Sequence, residues 1–126
     1  MVCNNGPLRV LNQNLQELLM TRGRWAAGFW ARLRGLMGRP ALRQGEGLIL
    51  VGDRSIHSFF MRFPIDVVYA DRDWQVVQLD AAMAPNRIGP YVGRAAYVLE
   101  LPVGVIHHTG TTIGDQLVCH EDVVRD

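Results

Sequence analysis

"IDVVYADRDWQVVQLDAAM", residues 65–83, decides the fold class. Residues 65–70 form a short apolar run with one carboxylate inside it. "DRDW" is a polar connection of four residues. In the returning run, Val77, Leu79 and Ala81 alternate with polar neighbours, the period of a strand with one face on a core. Two strand-like runs joined by a short polar link read as a β-hairpin.

Working outward, "SIHSFFM" (55–61) precedes the hairpin and reads as a further strand. Pro64 separates the two; it cannot donate to a ladder and so marks a bend or a sheet edge. "GLILVG" is an apolar run bounded by glycines, as a buried strand would be. "AAYVLELP" and "DQLVCHE" read as strands, and "VGVIHHTG" as a turn or short helix. Near the start, "PLRVLNQN" and "QELLMTRG" fit two short strands, although the Leu spacing of the second also fits a helix.

The clearest helical pattern is "RWAAGFWARLRGLM" (24–37). At 100° per residue, Trp25, Phe29, Trp30, Leu33, Leu36 and Met37 fall within an arc of about 140°. A Gly and a Pro in "GRP" (38–40) then end it. The expected fold is α+β: a compact, mainly antiparallel sheet or partly open barrel of five to seven strands, with one main amphipathic helix packed on it.

A chain of 126 residues is one domain, 1–126, and is long enough to build a core without disulfides. The opening "MVCNNGPLRV" lacks the apolar centre of a signal peptide, and no apolar run is long enough to span a bilayer. A cytoplasmic protein without a membrane partner is the expectation. A net charge of +1 gives no global reason to expect nucleic acid. All 13 basic residues are Arg, and six of them lie between Arg22 and Arg43 without an acidic neighbour. Coding bias accounts for the absence of Lys; Arg is also the side chain suited to bidentate capture of anions. Cys3 and Cys119 have no metal-type spacing, and their pairing is not readable from sequence.

Four segments, in order, resemble one family: "RLRGLMGRPAL" (32–42), "GEGLILVGDRSIHSFFMRFPIDVVYAD" (45–71), "YVLELPVG" (97–104) and "IGDQL" (113–117). Together they are similar to the DUF192 family, also called UPF0127, and to its branch written with "IHTFGMRFPIDVVFLD". Ser58 stands where that branch has Thr, and Phe60 where it has Gly. The resemblance implies a compact β-rich domain with a helix packed on it, and implies no particular activity.

The candidate site residues are His57, Arg62, Asp66, Arg34, Arg87 and Glu100. On a strand, His57, Phe59 and Met61 share a face, so His57 is either hydrogen-bonded in place or lines a pocket. Arg62 stands just before the "FP" break, where a side chain can reach a cleft mouth. Asp66 and Glu100 are carboxylates among Val and Leu, so each needs a partner if buried. An ion pair or backbone cap suits Asp66; an ion pair with Arg34, Arg62 or Arg87 suits Glu100. The two together could instead form an acid/base dyad. His107-His108 and Cys119-His120 are adjacent pairs that point to opposite faces of a strand, which argues against a metal site. No cofactor is expected.

Three function classes remain. The first is a ligand- or peptide-binding accessory domain whose cleft lies beside strands 55–66 and takes a small anionic molecule or a peptide. The second is a small hydrolase or lyase using His57 with Asp66 or Glu100. The third is an interaction module pairing through a sheet edge at Pro64.

Overall fold

A computed structural model describes residues 7–26, 39–59 and 61–121. The strands are β1 (Leu8–Asn12), β2 (Glu17–Ala26), β3 (Glu46–Val51), β4 (Ile65–Ala70), β5 (Val76–Met83), β6 (Tyr97–Pro102) and β7 (Leu117–Glu121). Among the described residues the single α-helix is α1, Val105–Thr109. None of them belongs to a helix long and apolar enough to cross a membrane.

The seven strands form one mixed sheet in the order β5-β4-β6-β3-β2-β1-β7. Only the β2–β3 pairing is parallel. The sheet curls into a half-barrel, and its two outer strands approach each other at one end. There Gln75 bridges Gln116, and the amide of Leu117 donates to the carbonyl of Trp74 at 2.8 Å. The hairpin expected over 65–83 is present as β4–β5, with two register shifts.

Curling divides the apolar residues between two faces. Every strand contributes to the concave core, among them Val10, Met20, Ile49, Val68, Leu99 and Leu117. The convex core uses Leu48, Val67, Tyr69 and Val98, covered by Ile56, Met61 and Phe63 from the loop before β4. Strand β4 is therefore buried along its whole length, which is why it reads as a continuous apolar run.

Three expectations need correcting. Residues 24–26, assigned from their pattern to the start of a main helix, lie in β2; residues 27–38 of that pattern are outside the described residues. Tertiary pairing with β3 overrides the local helical period there. Residues 55–59 form a loop with one bridge, His57 to Ile88, and no strand ladder. Pro64 is not at a sheet edge, because β4 pairs with β5 on one side and β6 on the other. It precedes the strand, where a missing N–H leaves no gap in the ladder.

Candidate functional site

The loop 53–63 is stitched to the loop 84–95, and Ser58 is the main stitch. Its side chain is fully buried, its Oγ donates to the carbonyl of Ala84, and it accepts the amide of Arg87 at 2.9 Å. Its own amide donates to the Arg87 carbonyl, and its carbonyl accepts the amide of Asn86. Further along, Gly89 donates to the Ile56 carbonyl and Val92 to that of Arg54. A Cβ on Gly89 would stand 2.9 Å from the Tyr69 hydroxyl, so close approach to β4 demands glycine.

On this double loop His57 and Phe59 turn outward, their rings stacked at 4.9 Å, and the Phe59 amide donates to His57 Nδ1. Met61, expected on the same face as these two, is buried in the convex core. Arg62 and Arg87 are exposed. The sequence-nominated His57, Arg62 and Arg87 thus belong to one loop layer; Arg34 lies outside the described residues.

The two carboxylates belong elsewhere. Asp66 is buried and faces the concave core, because it is in register with Leu101. Its Oδ1 accepts the amide of Ala82, and its Oδ2 accepts those of Gly104 and Ile106, all within 2.9–3.0 Å. Ala82 sits at a β5 bulge with φ +56°, and Gly104 and Ile106 open α1. Asp66 is therefore a backbone cap that joins β4, β5 and α1. Glu100, one residue away in register, is fully buried on the convex side between Leu48 and Val67. The acid/base dyad is thereby excluded: the two side chains leave the sheet on opposite faces.

Clefts lie at the two ends of the half-barrel. At the α1 end, a cavity of about 700 Å³ is lined by Leu18, Met20, Thr21, Val103, Val105 and His108. Nearby, Asn12, Thr109, Thr111 and Asp115 make a buried polar network. Asn12 Nδ2 donates to Asp115 Oδ2 at 2.9 Å and to Thr111 Oγ1 at 3.1 Å. Burial pushes the Asp115 carboxyl up, but hydrogen bonds from Asn12 and Thr112 outweigh it and hold the group below its ordinary range.

At the other end, a groove of about 360 Å³ is lined by Arg54, Arg72, Arg94, Asp71, Gly93, Ala95 and Ala96. Asp71, the sole carboxylate in this lining, holds its own turn, with Oδ1 accepting the amides of Asp73 and Gln75. None of the three guanidinium groups makes a hydrogen bond or ion pair with a described residue. Beside the groove, Trp74 stacks on Tyr97 at 3.9 Å and 12°, and Trp25 lies 6.5 Å from both rings. Trp74 has φ +62°, a left-handed conformation that costs a non-glycine residue about 1–2 kcal/mol.

The sequence reading passed over these arginines because each sits in an unremarkable turn. The available signal was "DRDW", where a Trp occupies a hairpin-turn position suited to glycine. No group of three or more His, Cys, Asp or Glu among the described residues could hold a metal ion. Cys119 is a free thiol, half-buried, with burial and then Glu121 pushing its pKa up; Cys3 lies outside the described residues.

The family model described as DUF192, "Uncharacterized ACR, COG1430", matches residues 11–119. The chain belongs to the DUF192 family. A UPF0127 protein of Thermococcus sibiricus is 36% identical over 112 residues, 86% of this chain and 72% of that protein. A UPF0127 protein of Pyrococcus furiosus is 30% identical over 111 residues, 86% of this chain and 95% of its own length. Among solved structures, a protein of unknown function from Novosphingobium aromaticivorans superimposes with a TM-score of 0.74 at 24% identity. The match covers 89% of this chain and 83% of that one. A putative transcription regulator from Sinorhizobium meliloti gives 0.73 at 21% identity, covering 94% and 97%. At those identities the likeness establishes a shared DUF192-type fold and nothing about activity.

Proposed function

We propose that this DUF192 domain is an accessory domain that binds small anions, with Arg54, Arg72 and Arg94 as its ligand-binding residues. The observation that carries the reading is three arginines lining one groove while its carboxylate is engaged by its own turn. Like charges held together repel, and an anion relieves that repulsion. Guanidinium groups also match carboxylate and phosphate oxygens bidentately. The groove sits at the head of the 53–63 loop, so the cleft expected beside residues 55–66 moves a few residues upstream. Arg62 and Arg87, in the adjoining loop layer with His57, add positive charge beyond the groove.

The test is a thermal-shift and calorimetric titration at low ionic strength with orthophosphate, pyrophosphate and citrate. A ligand at 100 times its Kd raises stability by about 2.7 kcal/mol. Saturable stabilisation by at least one polyanion, lost in Arg72→Gln and Arg94→Gln, is the expected result. Saturable binding that survives both substitutions would move the site elsewhere, and no saturable binding would end the proposal.

A second reading has its own observation. Ile88 and Tyr91 are 74% and 72% exposed, and Ile88 bridges His57, whose ring stacks on Phe59. An exposed apolar patch flanked by Arg62 and Arg87 suits an acidic peptide with an apolar anchor. Ile88→Ser and Tyr91→Ser would abolish peptide binding and leave pyrophosphate binding intact; retained peptide binding in both would reject this reading.

A further inference from the structure

The arginine groove and the aromatic cluster are neighbouring parts of one rim. Arg72 and Trp74 belong to the same turn between β4 and β5, two residues apart, so their Cα atoms lie within about 7.6 Å. Ala96, in the groove lining, directly precedes Tyr97, in the stack. The Ala96 amide donates to the Ala70 carbonyl at 2.8 Å and the Asp71 amide to the Gln75 carbonyl at 2.9 Å, which fixes both segments to the sheet end. Tyr97 packs against the concave core, whereas Ala95 of the groove lining belongs to the convex one. The arginines and the rings therefore flank one edge from its two sides.

A plug for the barrel end would bury its rings. Trp74 and Tyr97 do pack against the concave core, but Trp25, at the end of β2, remains 44% exposed. Trp74 holds its place in a backbone conformation that glycine adopts without strain. A stacked Trp–Tyr pair with a third, half-exposed indole, at the same sheet end as the groove lined by three arginines, supplies two recognition elements. One is a flat π-face for a planar ring, and the other is a set of donors for phosphate oxygens.

We infer that the anion bound at this rim is a nucleoside phosphate, its phosphate among Arg54, Arg72 and Arg94 and its base on the open face of Trp25. This rests on the anion-binding reading above and adds the ring. Base–aromatic stacking strengthens binding roughly ten- to hundredfold over an anion without a base.

Calorimetry with ADP, pyrophosphate, ribose 5-phosphate and adenosine tests the two parts separately. ADP is expected to bind at least tenfold more tightly than pyrophosphate or ribose 5-phosphate, and to quench tryptophan fluorescence. Trp25→Ala should lower ADP affinity to the level of pyrophosphate without changing pyrophosphate affinity, and Trp25→Phe should restore much of the difference. Equal affinities for ADP and pyrophosphate in the unsubstituted protein, or an unchanged ratio in Trp25→Ala, would overturn the nucleoside assignment and leave the anion groove standing. Failure of both pyrophosphate and ADP to bind would remove the groove and the inference together. Adenosine binding as tightly as ADP would remove the groove and leave a neutral-ring site.

Discussion

Asp66 and Glu100 lie on neighbouring strands one register step apart, yet Asp66 faces the concave core and Glu100 the convex one. One sheet thickness separates two carboxylates that sequence alone could pair. For Asp66 the consequence is a structural task, three amide hydrogen bonds to two other elements. Asp66→Ala would leave the buried Ile106 amide and the part-buried amides of Ala82 and Gly104 without acceptors and cost about 2–4 kcal/mol. Chemical denaturation measures it; a loss below about 1 kcal/mol would contradict the capping role.

Ser58 makes a sharper prediction because its shape can be held constant. Ser58→Ala should destabilise by about 1–3 kcal/mol, as the Arg87 amide loses its acceptor at the buried Ser58 position. Ser58→Thr should be far milder, since it keeps the hydroxyl, and Thr is the residue found at this position in the resembling branch. Equal losses in the two variants would show that side-chain volume, not the hydrogen bond, governs the site.

At Gly89 the contact is steric. Gly89→Ala drives a methyl group against the Tyr69 hydroxyl and the Ile56 carbonyl, at 2.9 and 3.2 Å. Overpacking of this kind costs about 1–3 kcal/mol. The double variant Gly89→Ala with Tyr69→Phe, which removes the hydroxyl, should recover part of the loss in a double-mutant cycle. Strict additivity would place the clash elsewhere.

Acid sensitivity follows from Asp115. Its folded pKa lies below its unfolded one, so its ionised form contributes stability above the unfolded value of about 3.9. That contribution disappears as pH falls through the folded pKa. Glu46, lowered chiefly by its hydrogen bond from Arg39, acts in the same direction. Stability measured by urea denaturation between about pH 3 and 7 should fall on the acid side, and Asp115→Asn should flatten that fall. An unchanged acid slope in the variant would remove Asp115 from the cause.

Much of the sheet was legible because its strands carry their own signals. "GLILVG" is apolar throughout and "IDVVYA" apolar apart from Asp66 since both faces of the sheet are covered, and the hairpin turn is polar where it meets water. The start of the helical pattern misled because Trp25 fits the helical period of the residues after it while its backbone, with that of Ala26, pairs with Ile49 and Leu50. The nominated site was readable only in part. His57 and Arg62 lie in the stretch that the family motif already marked, and Arg87 joins their layer from the loop 84–95. The roles of Asp66 and Glu100 depend on which face each strand position points to, which shifts with a bulge. Arg54, Arg72 and Arg94 are 18 and 22 residues apart in sequence, and only turn geometry gathers them.

The position of β1 has a consequence for biosynthesis. Its ladder is completed by β7, and the outer strands approach each other at one end, where Gln75 bridges Gln116 and Val76 pairs with the residues before β7. The earliest described strand thus waits during synthesis for the last described one, and the rim that joins Trp74 to Leu117 forms only once β7 has been made. Until then β1 can pair only with β2, and half of its hydrogen-bonding edge is open to chaperones or to a neighbouring nascent chain.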